Sequence, residues 1–313
     1  MIIRTIHKNF IHHRFPLIMT LFIFIALRMP WMNEGEALEF WGSMFIQIVI
    51  ALFLLYFTQK YAIIRQKTYL PAFFYLLLAG TNPLFFYDLR ASVSGLLLLF
   101  CFCFLFDTYQ NPLSQRKALN FSILLTLGSF YWPPLLLFFP LFWYEMLQIK
   151  SLNFKSFCAS LIGVAVVGLF LLAWVIYQND WAVFTQILSD WNTLWNFRFS
   201  PAMRIDELLM HLFLGILFIL SAIKILTTGI SEKTQTKIFL GYLSLLIVII
   251  FIFFFIQNQW EKEWLLILYV PLSMVLARYF TLSNRAFVTW LFLFTMVFFL
   301  LKFTYPYLPW IGN

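Results

Sequence analysis

Apolar residues fall along this chain in long solid blocks, not in amphipathic stripes. Residues 238–256, for example, contain no charged side chain. A run of about 17–25 apolar residues is the length that crosses a bilayer's hydrocarbon core as a helix. A barrel strand of a membrane protein would alternate apolar and polar residues instead. Lipid supplies no partners for backbone N–H and C=O groups, so blocks of this kind predict helices. Eleven are read, at 15–29, 42–58, 68–80, 86–106, 119–131, 133–146, 157–177, 208–224, 238–256, 264–278 and 286–303. Gly80-Thr81-Asn82-Pro83 separates the third from the fourth, and Tyr131-Trp132-Pro133-Pro134 makes a tight turn between the fifth and sixth. Proline suits the first turn of a helix, where an N–H is unpaired anyway. The expected fold is all-α: a polytopic transmembrane helical bundle of about eleven spans, forming one integral membrane domain over residues 1–313.

Composition strengthens this picture. Of 313 residues, 63% are hydrophobic and 11% are charged, against about 25% charged in a typical soluble domain. The net charge of +8 would suggest nucleic acid in a soluble protein, but its distribution has another cause. Lys and Arg favour the cytoplasmic side of a membrane. With the N-terminus in the cytoplasm, fifteen of the 21 basic residues fall on inner segments, and only Arg28, Arg90, Arg198, Arg204, Lys262 and Lys302 fall outside. The acids run the other way: Asp107, Glu145 and Glu232 are inner, and the other ten are outer. The basic charge is therefore topogenic, no nucleic-acid partner is expected, and the C-terminus is placed outside. Arg4, Lys8 and Arg14 precede the first apolar run, and Leu27-Arg28-Met29-Pro30 offers no small-residue cleavage site. An uncleaved first span is expected. Cys101, Cys103 and Cys158 lie in or beside apolar runs and read as packing residues.

Candidate chemistry lies in the outer loops. The loop at 28–41 carries Glu34, Glu36 and Glu39, carboxylates that can serve as a general base or hold a divalent cation. The bland alternative is a solvated acidic loop. The segment 178–208 contains Trp181, Phe184, Leu188, Trp191 and Trp195 at 3-4-3-4 spacing, with Thr185, Gln186, Ser189, Asn192 and Thr193 opposite. That pattern predicts an interfacial helix on the outer leaflet. Asp206 and Glu207 read as ordinary helix-start acids. Asp88 and Arg90 flank the fourth span near membrane depth, and Glu261-Lys262-Glu263 reads as a solvated turn. Ten of twelve Trp fall near the outer side, more lopsided than an anchoring belt at both interfaces. The deep interior of the spans reads as almost free of ionisable groups, which argues against an ion-coupled carrier. No P-loop, zinc pattern or Ser/His/Asp arrangement stands out, and no metal site or cofactor is evident.

The order of these features resembles the GT-C superfamily of membrane glycosyltransferases. The resemblance rests on the first outer loop with Glu34, Glu36 and Glu39, the Trp181 to Trp195 helix after the seventh span, and Asn82-Pro83-Leu84-Phe85-Phe86 leading into Ala91-Ser92-Val93-Ser94-Gly95. It covers residues 1–200, with 208–313 as additional helices. The Asp-Glu pair usual after the first span in that superfamily is absent; Asn33-Glu34 stands nearest. The resemblance implies transfer of a sugar from a polyprenyl-phosphate carrier on the outer face, with a catalytic carboxylate among Glu34, Glu36 and Glu39, a divalent cation if the site is catalytic, and Arg90 or Arg204 on the phosphate. The chain also looks like uncharacterised multi-span families of bacterial inner membranes. The leading expectation is a non-catalytic component supporting cell-envelope assembly, with membrane lipid and other envelope proteins as partners.

Topology can be checked directly. Reporter fusions after Gln59, Asn111, Lys150 and Thr228 are expected to read cytoplasmic, and fusions after Asp180 and Asn313 external. A cytoplasmic reading at Asn313 would change the number of spans.

Overall fold

The computed structural model describes residues 15–29, 37–80, 85–111, 114–179, 181–195, 205–228, 233–282 and 286–304. The described residues form α1 (Phe15–Arg28), α2 (Ala37–Lys60), α3 (Leu70–Gly80), α4 (Leu89–Phe106), α5 (Gln115–Tyr131), α6 (Phe138–Gln148), α7 (Phe154–Gln178), α8 (Trp181–Asn192), α9 (Ile205–Thr228), α10 (Thr234–Ile256), α11 (Glu261–Leu282) and α12 (Ala286–Thr304). Each expected apolar run holds one helix, and α8 is the additional one. Six helices are long and apolar enough to cross a membrane: α2, α4, α7, the stretch Leu208–Thr227 of α9, α10 and α11. Shorter apolar stretches lie at Pro16–Ala26, Leu70–Gly80 and Ala286–Phe299. The protein is thus an all-helical membrane protein.

The helices commonly outrun the apolar blocks that predict them. α2 begins at Ala37 and α11 extends from Glu261 to Leu282, because the backbone ladder continues through polar residues at the ends of a span. The sixth run behaves differently. Pro133–Leu137 forms a 3-10 turn, and the α-helix starts only at Phe138. One expectation fails: Glu263 is buried, not solvated. It lies in the first turn of α11 beside Glu261, where the helix dipole favours a negative charge.

The chain divides into two compact units. The first comprises residues 1–92, 203–247 and 268–313. Its centre is α3, every residue of which is buried. α3 packs against α1 and α2. Phe74 stacks on Phe280 with ring centroids 5.4 Å apart, and Phe292 closes on both rings. Arg278 is almost fully buried, and its Nη1 donates to the Ile63 carbonyl. This ties the turn after α2 to α11.

The second unit comprises residues 93–202 and 248–267. Its main seam joins α5 to α7. α7 starts with a reciprocal cap: Asn153 Oδ1 accepts from the Ser156 N–H at 2.7 Å, and Ser156 Oγ accepts from the Asn153 N–H at 2.9 Å. It stops at Asn179, whose φ of 53° lies in the left-handed region that Asn tolerates. Gly163 sets how closely the two helices approach. A Cβ there would stand 1.9 Å from Ser122 Oγ and 3.0 Å from the Leu119 carbonyl oxygen. Ser122 cannot swing away freely, since its hydroxyl donates to that same carbonyl at 2.8 Å.

Gly163→Ala is therefore expected to destabilise the purified protein in detergent by about 1–3 kcal/mol, the usual cost of forcing atoms into a filled seam. Adding Ser122→Gly should recover most of the loss, because it removes the obstructing hydroxyl. Thermal melts of the single and double variants check this, and equal melting of Gly163→Ala and the natural protein would contradict it.

Candidate functional site

In the first unit, polar side chains converge around one carboxamide. Ser43 and Gln47 are separated by one turn of α2 and point the same way. Gln47 Nε2 donates toward the Phe85 carbonyl at 3.2 Å, Ser92 Oγ at 2.9 Å and Ser43 Oγ at 3.1 Å. Ser43 Oγ reaches the Phe85 carbonyl and the Ser92 hydroxyl, each at 3.0 Å. Ser92 Oγ in turn donates to the Asp88 carbonyl at 2.9 Å. Ser43, Gln47 and Ser92 are all fully buried. The remaining Gln47 atom, Oε1, accepts from Arg28 Nη2 at 2.6 Å.

Arg28 is the notable member. It sits at the end of α1 with no exposed surface. Its guanidinium lies over the Phe24 ring at 4.2 Å and the Phe86 ring at 4.3 Å. Cation–π contacts of this kind contribute about 0.5–2 kcal/mol each. Nε and Nη1 have no hydrogen-bond partner. Tyr75 on α3 is equally buried, interacts electrostatically with Arg28, and has an unpartnered hydroxyl. Arg278 and Glu145, like Arg28, lie toward the ends of their helices, and each is buried. The signal available in the sequence was Ser43 with Gln47, two polar residues at i, i+4 in an otherwise apolar helix, followed by Ser92 and Ser94 opening another.

The expected site residues fall in several places. Glu39 is exposed in the first turn of α2. Glu34, Glu36 and Arg204 lie outside the described residues, and so do the side chains of Asp206 and Glu207. Arg90 is exposed in the first turn of α4. Asp88 caps that helix, its Oδ1 accepting from the Ala91 N–H at 2.8 Å. Among the described residues, no three His, Cys, Asp or Glu side chains come together as a metal site.

The aromatic segment forms a helix where expected, α8, ending in a 3-10 turn at Thr193–Trp195. Within the second unit its two edges differ. Trp191 stacks on Phe130 at 5.8 Å and donates from Nε1 to the Ser129 carbonyl at 3.3 Å. Leu194 is buried, and its carbonyl accepts from Gln257 Nε2 at 2.8 Å. Gln257 Oε1 accepts from Trp264 Nε1 at 3.2 Å. Trp264 stacks on Phe253 and meets Trp132 edge-on. The rest of the apolar stripe is open: Trp181 is 54% exposed, Leu188 46% and Trp195 69%, with Phe184 half-buried.

Residues 2–307 match the family of unknown function DUF6427, and the chain belongs to that family. No curated protein and no solved structure matches it.

Gln257→Ala is expected to loosen the helix tail. It leaves the Leu194 carbonyl and the Trp264 indole N–H buried without partners, a cost of about 1–3 kcal/mol for each. Faster proteolysis at residues 192–195, with α-helical content unchanged, is the expected result; unchanged proteolysis would show that the Gln257 bridge is dispensable.

Proposed function

We propose that this protein is a multi-pass component of the bacterial inner membrane that supports cell-envelope assembly at the outer face. In this reading all eleven apolar helices cross the bilayer, with the N-terminus in the cytoplasm and the C-terminus outside. The partition of basic and acidic residues supports that orientation. The observation that carries the reading is α8. It is only 12 residues long, too short for independent stability in water and too short to cross the membrane. It is clamped by Trp191 and Leu194, while Trp181, Leu188 and Trp195 remain exposed. An aromatic edge held rigidly in this way suits the boundary between head groups and acyl chains. Its partners would be membrane lipid and other envelope proteins.

The second reading is a GT-C-like transferase moving a sugar from a polyprenyl-phosphate carrier on the outer face. Glu39 favours it, as an exposed carboxylate opening the helix after the first loop. A carboxylate among Glu34, Glu36 and Glu39 would then act as base or hold a divalent cation, with Arg90 or Arg204 neutralising phosphate.

Complementation of a deletion strain, scored as survival under envelope stress, separates the two. The variant carrying Glu34→Gln, Glu36→Gln and Glu39→Gln is expected to complement fully. The variant carrying Trp181→Ser, Leu188→Ser and Trp195→Ser is expected to fail although it accumulates in the membrane. Failure of the Gln variant at normal abundance would overturn the non-catalytic reading and favour the transferase one. Full complementation by the Ser variant would remove the role given to α8.

A further inference from the structure

We propose that Arg28 is the centre of a binding site for a phosphate oxyanion, a phosphomonoester or phosphodiester, at the end of α1. The case begins with hydrogen-bond satisfaction. A guanidinium offers five N–H donors and never loses its charge under ordinary conditions. Arg28 is fully enclosed, yet only Nη2 has a partner, the neutral Gln47 carbonyl oxygen at 2.6 Å. Nε and Nη1 have none. Buried cations in proteins are ordinarily paired with an anion, because desolvating one alone is expensive. Among the described residues no carboxylate pairs with Arg28; the Lys117–Asp107 ion pair lies in the second unit.

The site around this charge is built rather than incidental. Phe24 and Phe86 hold the guanidinium plane from its two contacts at 4.2 and 4.3 Å. Gln47 fixes one of its nitrogens, and Gln47 is itself locked by Ser43, Ser92 and the Phe85 carbonyl. Arg28 is therefore held in one orientation with two nitrogens to spare. A second unused donor accompanies it: the Tyr75 hydroxyl, fully buried, unpartnered and in electrostatic reach of the guanidinium. Fixed cationic and neutral donors around an unfilled hydrogen-bonding need are the arrangement that takes an oxyanion.

Two facts favour phosphate as that oxyanion. The first is depth. Arg28 is the last residue of an apolar helix, and the end of a span is the level of lipid phosphates. The second is position: Met29, the next residue along the chain, is exposed. The phosphate can come from a lipid head group or from free phosphate, and the two sources share the chemistry but are separable by experiment.

The test uses the full chain purified in dodecyl maltoside and phosphate-free buffer. Phosphatidylglycerol, a glucosyl diacylglycerol with the same acyl chains, and inorganic phosphate are added separately, and melting is followed. The natural protein is expected to melt about 5 °C higher with saturating phosphatidylglycerol and to be unmoved by the glucolipid. An equal rise with inorganic phosphate identifies free phosphate as the ligand; a rise with the lipid alone identifies a head group. Arg28→Gln should abolish the response. Tyr75→Phe, which removes a single oxygen, should weaken apparent affinity about tenfold with the unliganded melt unchanged. Where Arg28→Gln does not fold, Arg28→Lys serves: it retains the charge without the planar fork, and affinity should again fall about tenfold. No response in the natural protein, an equal response to the glucolipid, or an undiminished response in the Arg28 variant overturns the site.

Discussion

The carboxamide of Gln47 engages four groups, three of them distant in sequence. Its oxygen takes Arg28 from α1, and its nitrogen serves Ser43 from α2, Ser92 from α4 and the carbonyl of Phe85 between them. In water such bonds would replace equally good ones to solvent and add only about 0.5–1.5 kcal/mol each. In an apolar interior the comparison differs. A side chain that slides out of register leaves buried donors and acceptors with nothing to bind, at a cost of several kcal/mol. The cluster therefore acts chiefly against alternatives, allowing α1, α2 and the start of α4 one mutual placement.

That selectivity matters because the surrounding packing is permissive. Phe side chains number 41 in this chain, and clusters such as Phe74 with Phe280 and Phe292, or Phe213 with Phe294 and Phe298, are built from similar rings. Lipid tails are as apolar as these side chains, so burial against protein instead of lipid carries little driving force. Registration must come from shape and from polar bonds. Gly163 against Ser122 supplies shape in the second unit, where the glycine admits a neighbour that any side chain would displace. Asn153, Ser156 and the Trp143 indole bonded to Ser160 supply the polar bonds there.

The same division explains what could be read from the sequence. Helix positions were legible, since an apolar block in lipid has one backbone solution and its ends are marked by charges, Pro and Gly. α8 was legible because its 3-4-3-4 spacing is local. Helix bounds were less so: α2 and α11 continue through polar residues because hydrogen bonding, not hydrophobicity, ends a helix. Burial of the charges near helix ends could not be read. Arg28, Glu145, Glu263 and Arg278 all have the sequence context of an interface, and only the placement of neighbouring helices turns them inward. The polar centre was missed for the same reason. Arg28, Phe85 and Ser92 are brought to Gln47 by packing, and no local spacing marks them as a set.

The exposure of α8 follows from its length. A helix of three turns gains too little from its own hydrogen bonds to offset the entropy of ordering. It must be held, and Trp191 on Ser129 and Phe130, with Leu194 on Gln257, hold it. Those contacts use one edge of the apolar stripe. Were the remaining edge in water, Trp181, Leu188 and Trp195 would form a row of large solvated side chains, and the helix could lower its free energy by rolling them inward. The Gln257 bridge to Trp264 prevents that roll by fixing the tail on a buried aromatic cluster. An anchor that keeps an apolar edge turned away from the protein stabilises the fold only if something apolar lies beyond it. Six of the other helices are long and apolar enough to cross a membrane, and under the proposed placement of α8 the acyl boundary would be that medium.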